Sequence, residues 1–117
     1  MKNDSLCLIT GGGSGIGRAT AIKFAQNDYK TIIIGRREKA LFETIKMAGR
    51  HGSNLSHIKC DISSNDEISS LHKKVVSKFG DVDILVNNAG SSSSVRSIAH
   101  IPVDQWDDVL NINLRAV

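Results

Sequence analysis

Residues 5–17 read Ser-Leu-Cys-Leu-Ile-Thr-Gly-Gly-Gly-Ser-Gly-Ile-Gly, a short apolar run that stops in a glycine cluster and passes straight into a helical pattern. Such a stretch must bring a strand, a tight turn and a helix N-terminus into one place. Three glycines carry the spacing. Gly11 lets the backbone leave the strand with unusual dihedrals, Gly15 has no side chain to hold an anion off, and Gly17 lets the next helix pack close to the sheet. The helix then presents unpaired N–H groups and the positive end of its dipole. A diphosphate-containing dinucleotide is the ligand that suits this arrangement.

The whole chain has 117 residues, so it holds one domain at most, able to bury roughly two-thirds of its unfolded surface. Hydrophobic residues make up 40% and charged residues 23%, an ordinary balance for a folded globular protein. The formal charge is +3, and its basic bias lies in the N-terminal half, which suits an anionic small molecule. Nucleic acid is disfavoured because no basic stripe is interleaved with aromatics. Leu6 to Ile9 is too short for a signal-peptide core and nothing approaches a membrane span, so a cytoplasmic protein is expected. Cys7 and Cys60 read as reduced core thiols, and His51, His57, His72 and His100 have no metal-ligand spacing.

Strand and helix signals alternate from end to end, the pattern of βαβ units on a parallel sheet. Strands are expected at Ser5–Ile9, Thr31–Ile34, Leu55–Cys60 and Val82–Val86. Helices are expected at Gly15 to about Gln26, Glu38 to about Arg50, and Asp66–Phe79. A last helix opens at Pro102 and runs through Trp106, Val109, Leu110 and Leu114. In the first helix Ile16, Ala19, Ile22, Phe24 and Ala25 are expected to face the sheet. The final residues Leu114-Arg115-Ala116-Val117 carry no stop signal, so the chain reads as the first part of a larger domain.

Competing glycine-rich motifs fail on particular residues. A P-loop needs Gly-Lys-Ser/Thr after its spacer, whereas Gly17-Arg18-Ala19 stands here. A methyltransferase ordinarily ends its second strand in an acidic residue, and Gly35 occupies that place. By contrast Thr10-Gly11-x-x-x-Gly15-Ile16-Gly17, Asp61-Ile62, Asn87-Asn88-Ala89-Gly90 and Asn113 resemble the short-chain dehydrogenase/reductase family in type and in order. The resemblance runs through all 117 residues. It implies an α/β fold, a Rossmann-type doubly wound parallel sheet of about four strands (βαβαβαβα), incomplete at its C-terminal side. Residues 1–117 would form the cofactor-binding half of a single domain.

The resemblance also implies roles. Gly11, Gly13, Ser14, Gly15, Ile16 and Gly17 would hold the pyrophosphate, Asp61 and Ile62 would meet the adenine, and Asn88, Ala89 and Gly90 would lie along the cofactor and steady the sheet. Asn113 would belong to the catalytic tetrad, bending its helix and holding a water of the proton relay. In the family the helix that Trp106, Leu110 and Leu114 occupy commonly joins a partner subunit in a four-helix interface, so the resemblance implies a homodimer or homotetramer of the full-length protein.

The cofactor preference is written after the second strand, in Ile34-Gly35-Arg36-Arg37. Gly35 offers no carboxylate to a ribose 2′-hydroxyl, and Arg36 and Arg37 can offer guanidinium groups to a 2′-phosphate. Both arginines also start a helix, where the dipole disfavours cations by a few tenths of a kcal/mol unless an anion is bound. A charge-assisted contact worth ~1.5 to 3 kcal/mol predicts a preference for NADP(H) of roughly tenfold to a hundredfold, with NAD(H) still possible.

The proton-transfer residues are another matter. The single tyrosine, Tyr29, is followed four residues later by Ile33, so the family's Tyr-x-x-x-Lys is not in this sequence and neither is an identifiable partner serine. Two readings follow: the cofactor half of an oxidoreductase that interconverts a small carbonyl and an alcohol, or a truncated module that binds nucleotide or a partner without turnover.

Overall fold

The computed structural model describes residues 3–117; Met1 and Lys2 lie outside the described residues. Four parallel strands form one sheet: β1 (Asn3–Thr10), β2 (Tyr29–Gly35), β3 (Leu55–Lys59) and β4 (Ile84–Val86). Their order is β3-β2-β1-β4, so the chain builds outward from β1 and then crosses back to place β4 on its other side. Cys7 stands opposite both Thr31 and Ile84, and Ile9 opposite both Ile33 and Val86. The reversal of direction at β1 opens a crevice beyond the strands' carboxyl ends, where ligands of open α/β sheets bind.

The two central strands β1 and β2 are apolar at successive positions because helices cover both faces. Alternate side chains divide into two cores, as the two-residue period of a strand requires. One contains Cys7, Ile9 and Ile33 under α1 (Gly15–Gln26) and α2 (Glu38–Met47), joined by Ala21, Ala25, Leu41 and Ala48. The other contains Leu6, Leu8, Ile32 and Ile34 against Val75 of α3 (Asn65–Lys78). Both cysteines are free and buried.

Several expected details change. The buried face of α1 is Gly17, Ala21 and Ala25, whereas Ile16 is 79% exposed and Ala19 is exposed. Close approach to the sheet selects small side chains at the contact, which turns Ile16 toward the cleft instead. The second helix stops at Met47 rather than near Arg50, because Gly49 takes φ +57 and a 3-10 turn follows over Gly49–Asn54. Ser64 caps α3 by accepting from the Glu67 N–H at 3.3 Å. The last helix, α4 (Val103–Leu110), begins directly after Pro102 and gives way to a π turn over Asn111–Arg115. Among the described residues no helix is long and apolar enough to cross a membrane.

Candidate dinucleotide cleft

A cleft of about 510 Å³ opens at the carboxyl ends of the central strands, a volume within the usual range for cofactor sites. Its floor is the turn between β1 and α1. The Gly11 and Gly12 N–H groups donate to the Ile34 carbonyl at 2.8 and 3.1 Å, so the turn hangs on the end of β2. Gly11 has φ +70, and a Cβ on Gly17 would collide with the Gly11 carbonyl oxygen. These two glycines let the helix begin directly above the turn. Ser14, the residue before α1, makes no side-chain cap, and the first turn of α1 contains no acidic residue. The helix therefore directs its N-terminal N–H groups and dipole to the cleft without a capping carboxylate or hydroxyl of its own.

The second wall comes from the end of β2 and the segment after β3. Gly35, Arg36 and Arg37 line the cleft, and both arginines are exposed. Asp61 and Ile62 face it across the gap. The Asp61 carboxylate accepts from the Ser63 hydroxyl at 2.6 Å and the Ser63 N–H at 3.0 Å. Those two hydrogen bonds hold its pKa below the usual carboxylate range; partial burial opposes the shift and the Arg36 guanidinium adds to it. Asp61 thus stays an oriented acceptor.

The third wall follows β4. Thr10 Oγ1 accepts the N–H groups of Asn88 and Ala89 at 3.1 and 3.0 Å, while the Asn88 side-chain amide donates to the carbonyls of Thr10 and Gly11 at 3.1 and 3.2 Å. Two strand ends are laced together this way. Further along, the Asn113 amide accepts the Ser91 N–H and donates to the Ser91 carbonyl, both at 2.7 Å. The π turn is what brings Asn113 to that loop.

Of the residues singled out in the sequence, Gly11, Gly13, Ser14, Gly15 and Ile16 line the floor, with Arg36, Arg37, Asp61 and Ile62 on one wall and Asn88, Ala89 and Gly90 on the other. Gly17 and Asn113 stand one layer behind, against Gly11 and Ser91 respectively. Sequence reasoning missed Arg18 and Thr44, which bind the carbonyls of the glycine turn from outside the cleft. An arginine in a helix's first turn, where the dipole disfavours it, was the available signal. Tyr29 opens β2 at the end away from the cleft, so it offers no acid or base there.

The cleft can therefore seat an elongated anion with an adenosine at one end, and comparison with known proteins agrees with that geometry. A family profile described as short chain dehydrogenase matches residues 5–117. An uncharacterized oxidoreductase of Thermotoga maritima is 36% identical over 114 residues, covering 97% of this chain and 44% of that protein. The 3-oxoacyl-(acyl-carrier-protein) reductase of Staphylococcus aureus is 36% identical over 121 residues, covering 100% of this chain and 48% of the reductase. Among solved structures, an actinorhodin polyketide ketoreductase variant with NADPH superposes with a TM-score of 0.89 at 32% identity, covering 99% of this chain and 45% of the other. A metagenomic short-chain oxidoreductase in complex with NADP gives 0.91 at 26% identity, covering 98% and 52%. The chain spans about half the length of the curated relatives it matches. With its four-stranded parallel sheet and its glycine turn, the chain belongs to the short-chain dehydrogenase family, whose N-terminal half it represents.

Proposed function

We propose that this chain is the cofactor-binding half of an NADP(H)-dependent oxidoreductase that interconverts a carbonyl and an alcohol by hydride transfer. The observation that carries the reading is the end of β2, where Gly35 stands in place of a carboxylate and Arg36 and Arg37 line the cleft together. The open start of α1 suits a pyrophosphate, and Asp61 with Ile62 suits the adenine edge. Two relatives of known structure hold NADPH or NADP, which supports the same ligand class here.

When bound, the nicotinamide ring supplies or accepts the hydride. The chain's own residues orient it. Asn88, Ala89 and Gly90 would form the wall along which the cofactor lies, and Asn113, whose side-chain amide steadies the Ser91 loop, would be the tetrad's asparagine that holds a relay water. The exposed apolar residues Trp106, Leu110 and Leu114 on and after α4 suit association into a homodimer or homotetramer. A small carbonyl or alcohol is the substrate class.

A second reading is a nucleotide- or partner-binding module without turnover, and the observation beside it is that Tyr29 opens β2 at the end away from the cleft and supplies no acid there. Titrating the complete protein with NADPH and NADH separates these ideas, together with an assay of NADPH consumption by aldehydes and ketones. NADPH is expected to bind roughly tenfold to a hundredfold more tightly than NADH, and Arg36→Ala to erase most of that difference. Equal affinities unmoved by the substitution would remove the phosphate argument, and tight binding without turnover would favour the module.

A further inference from the structure

Thr31 and Thr44 are the buried polar side chains among the described residues. Thr44 lies in the middle of α2 with no exposure, yet its hydroxyl does not serve α2 alone. Thr44 Oγ1 is 2.8 Å from the Gly12 carbonyl and 3.2 Å from the Ala40 carbonyl, and it accepts from Arg18 Nε at 2.9 Å. A hydroxyl has one proton to donate, and Gly12 is the nearer acceptor. Arg18 Nη2 donates to the Gly13 carbonyl at 2.5 Å and to the Ala40 carbonyl at 3.2 Å, with Glu43 Oε2 at 3.6 Å. Two consecutive carbonyls of the glycine turn are thus gripped from the α2 side.

The peptide bond is planar and trans, so a carbonyl and the N–H of the same peptide point in opposite directions. Fixing the Gly12 and Gly13 carbonyls toward α2 turns the Gly13 and Ser14 N–H groups away from α2, and Gly13 and Ser14 line the cleft. Glycines are free to rotate, and a rotated peptide would present a carbonyl oxygen to an anion. We propose that Arg18 and Thr44 are positioning residues for the diphosphate site: they grip the outer side of the glycine turn and so keep its N–H groups aimed at the bound anion. The inference rests on the cofactor reading above. Arg18 acts here through its fork of donors, since its charge is engaged with Glu43 and the turn carbonyls.

The test uses the complete protein and two ligands, NADPH and adenosine 2′-monophosphate, which has the 2′-phosphate but no diphosphate. Arg18→Lys retains the charge and loses the fork; Thr44→Val loses the hydroxyl and Thr44→Ser keeps it. Arg18→Lys and Thr44→Val are expected to weaken NADPH roughly tenfold, the effect of losing one charge-assisted or buried hydrogen bond. Both are expected to leave adenosine 2′-monophosphate unchanged, and Thr44→Ser to keep wild-type affinity for both ligands. The loss should fall on KM for NADPH and not on kcat at saturating NADPH. Wild-type affinity for NADPH in Arg18→Lys, or equal weakening of both ligands, would overturn the inference. Should Thr44→Val fail to fold, as judged by its melting curve, Arg18→Lys alone decides. Failure of the wild-type protein to bind NADPH would instead overturn the cofactor reading.

Discussion

The two walls of the cleft are built on different principles. On the β2 side, Ile32, Ile33 and Ile34 are 1%, 0% and 0% exposed, packed between helices on both faces, and the arginine-bearing end of the strand inherits that rigidity. On the β4 side, Leu85 is 57% exposed and α4 contains no buried residue. That wall is held by hydrogen bonds: Thr10 to Asn88 and Ala89, Asn113 to Ser91, and the Asp83 carboxylate and N–H to the Leu6 backbone at 2.8 and 3.0 Å. Burial fixes the wall that bears Arg36 and Arg37, while directional polar contacts fix the wall that bears Asn88, Ala89 and Gly90. β1 and its glycine turn are shared by both.

The largest expected effect attacks the shared element. Gly17→Val would drive a branched side chain into the Gly11 carbonyl and the Asn88 amide, costing about 3 kcal/mol or more and disturbing both walls together. Thermal unfolding measures the cost; an unchanged melting temperature would contradict the close approach of α1 to the turn. Next comes Thr10→Val, which removes the hydroxyl shared by two N–H groups and should cost about 2 kcal/mol. Hydrogen exchange sharpens the contrast here. The Asn88 and Ala89 amides should lose protection while those of Ile33 and Ile34 keep theirs, and uniform loss would mean that the walls are not separately held.

The smallest effect concerns the buried side. Burial pushes the Cys7 thiol from its ordinary 9.0 up to about 11. A raised acid pKa in the folded state means that the unfolded chain releases the proton first, so stability is full below pH 9 and is lost as pH rises from there toward about 11. Cys60 moves in the same direction, by burial and then by the nearby Glu67 and Asp61 charges. Urea midpoints measured across that window should fall, and Cys7→Ala should flatten the slope; an equal slope in the variant would contradict a buried thiol on β1.

The sequence makes the architecture legible where local chemistry and tertiary demand coincide. The run Thr31 to Ile34 is β-branched throughout and apolar after Thr31, which suits a strand covered on both faces, and it is buried at every position. The cleft is legible through Gly11, whose positive φ is what its residue type permits. The facing of α1 is not, because helical spacing weighs Ile16 by its hydrophobicity and cannot know that the sheet comes too close for anything but glycine and alanine. The Arg18–Thr44 grip is invisible for another reason. It joins residues 26 apart in sequence, and although Arg18 stands out in its helix's first turn, nothing local names Thr44 as its partner.

The central claim is that backbone N–H groups of the first turn receive a diphosphate, and amide shifts in the complete, isotopically labelled protein test it most directly. Adding NADP+ should move the Gly13, Ser14, Gly15 and Ile16 amides most, with the Arg36 and Arg37 signals following. Saturating NADP+ that leaves those four amides in place while perturbing others would contradict it.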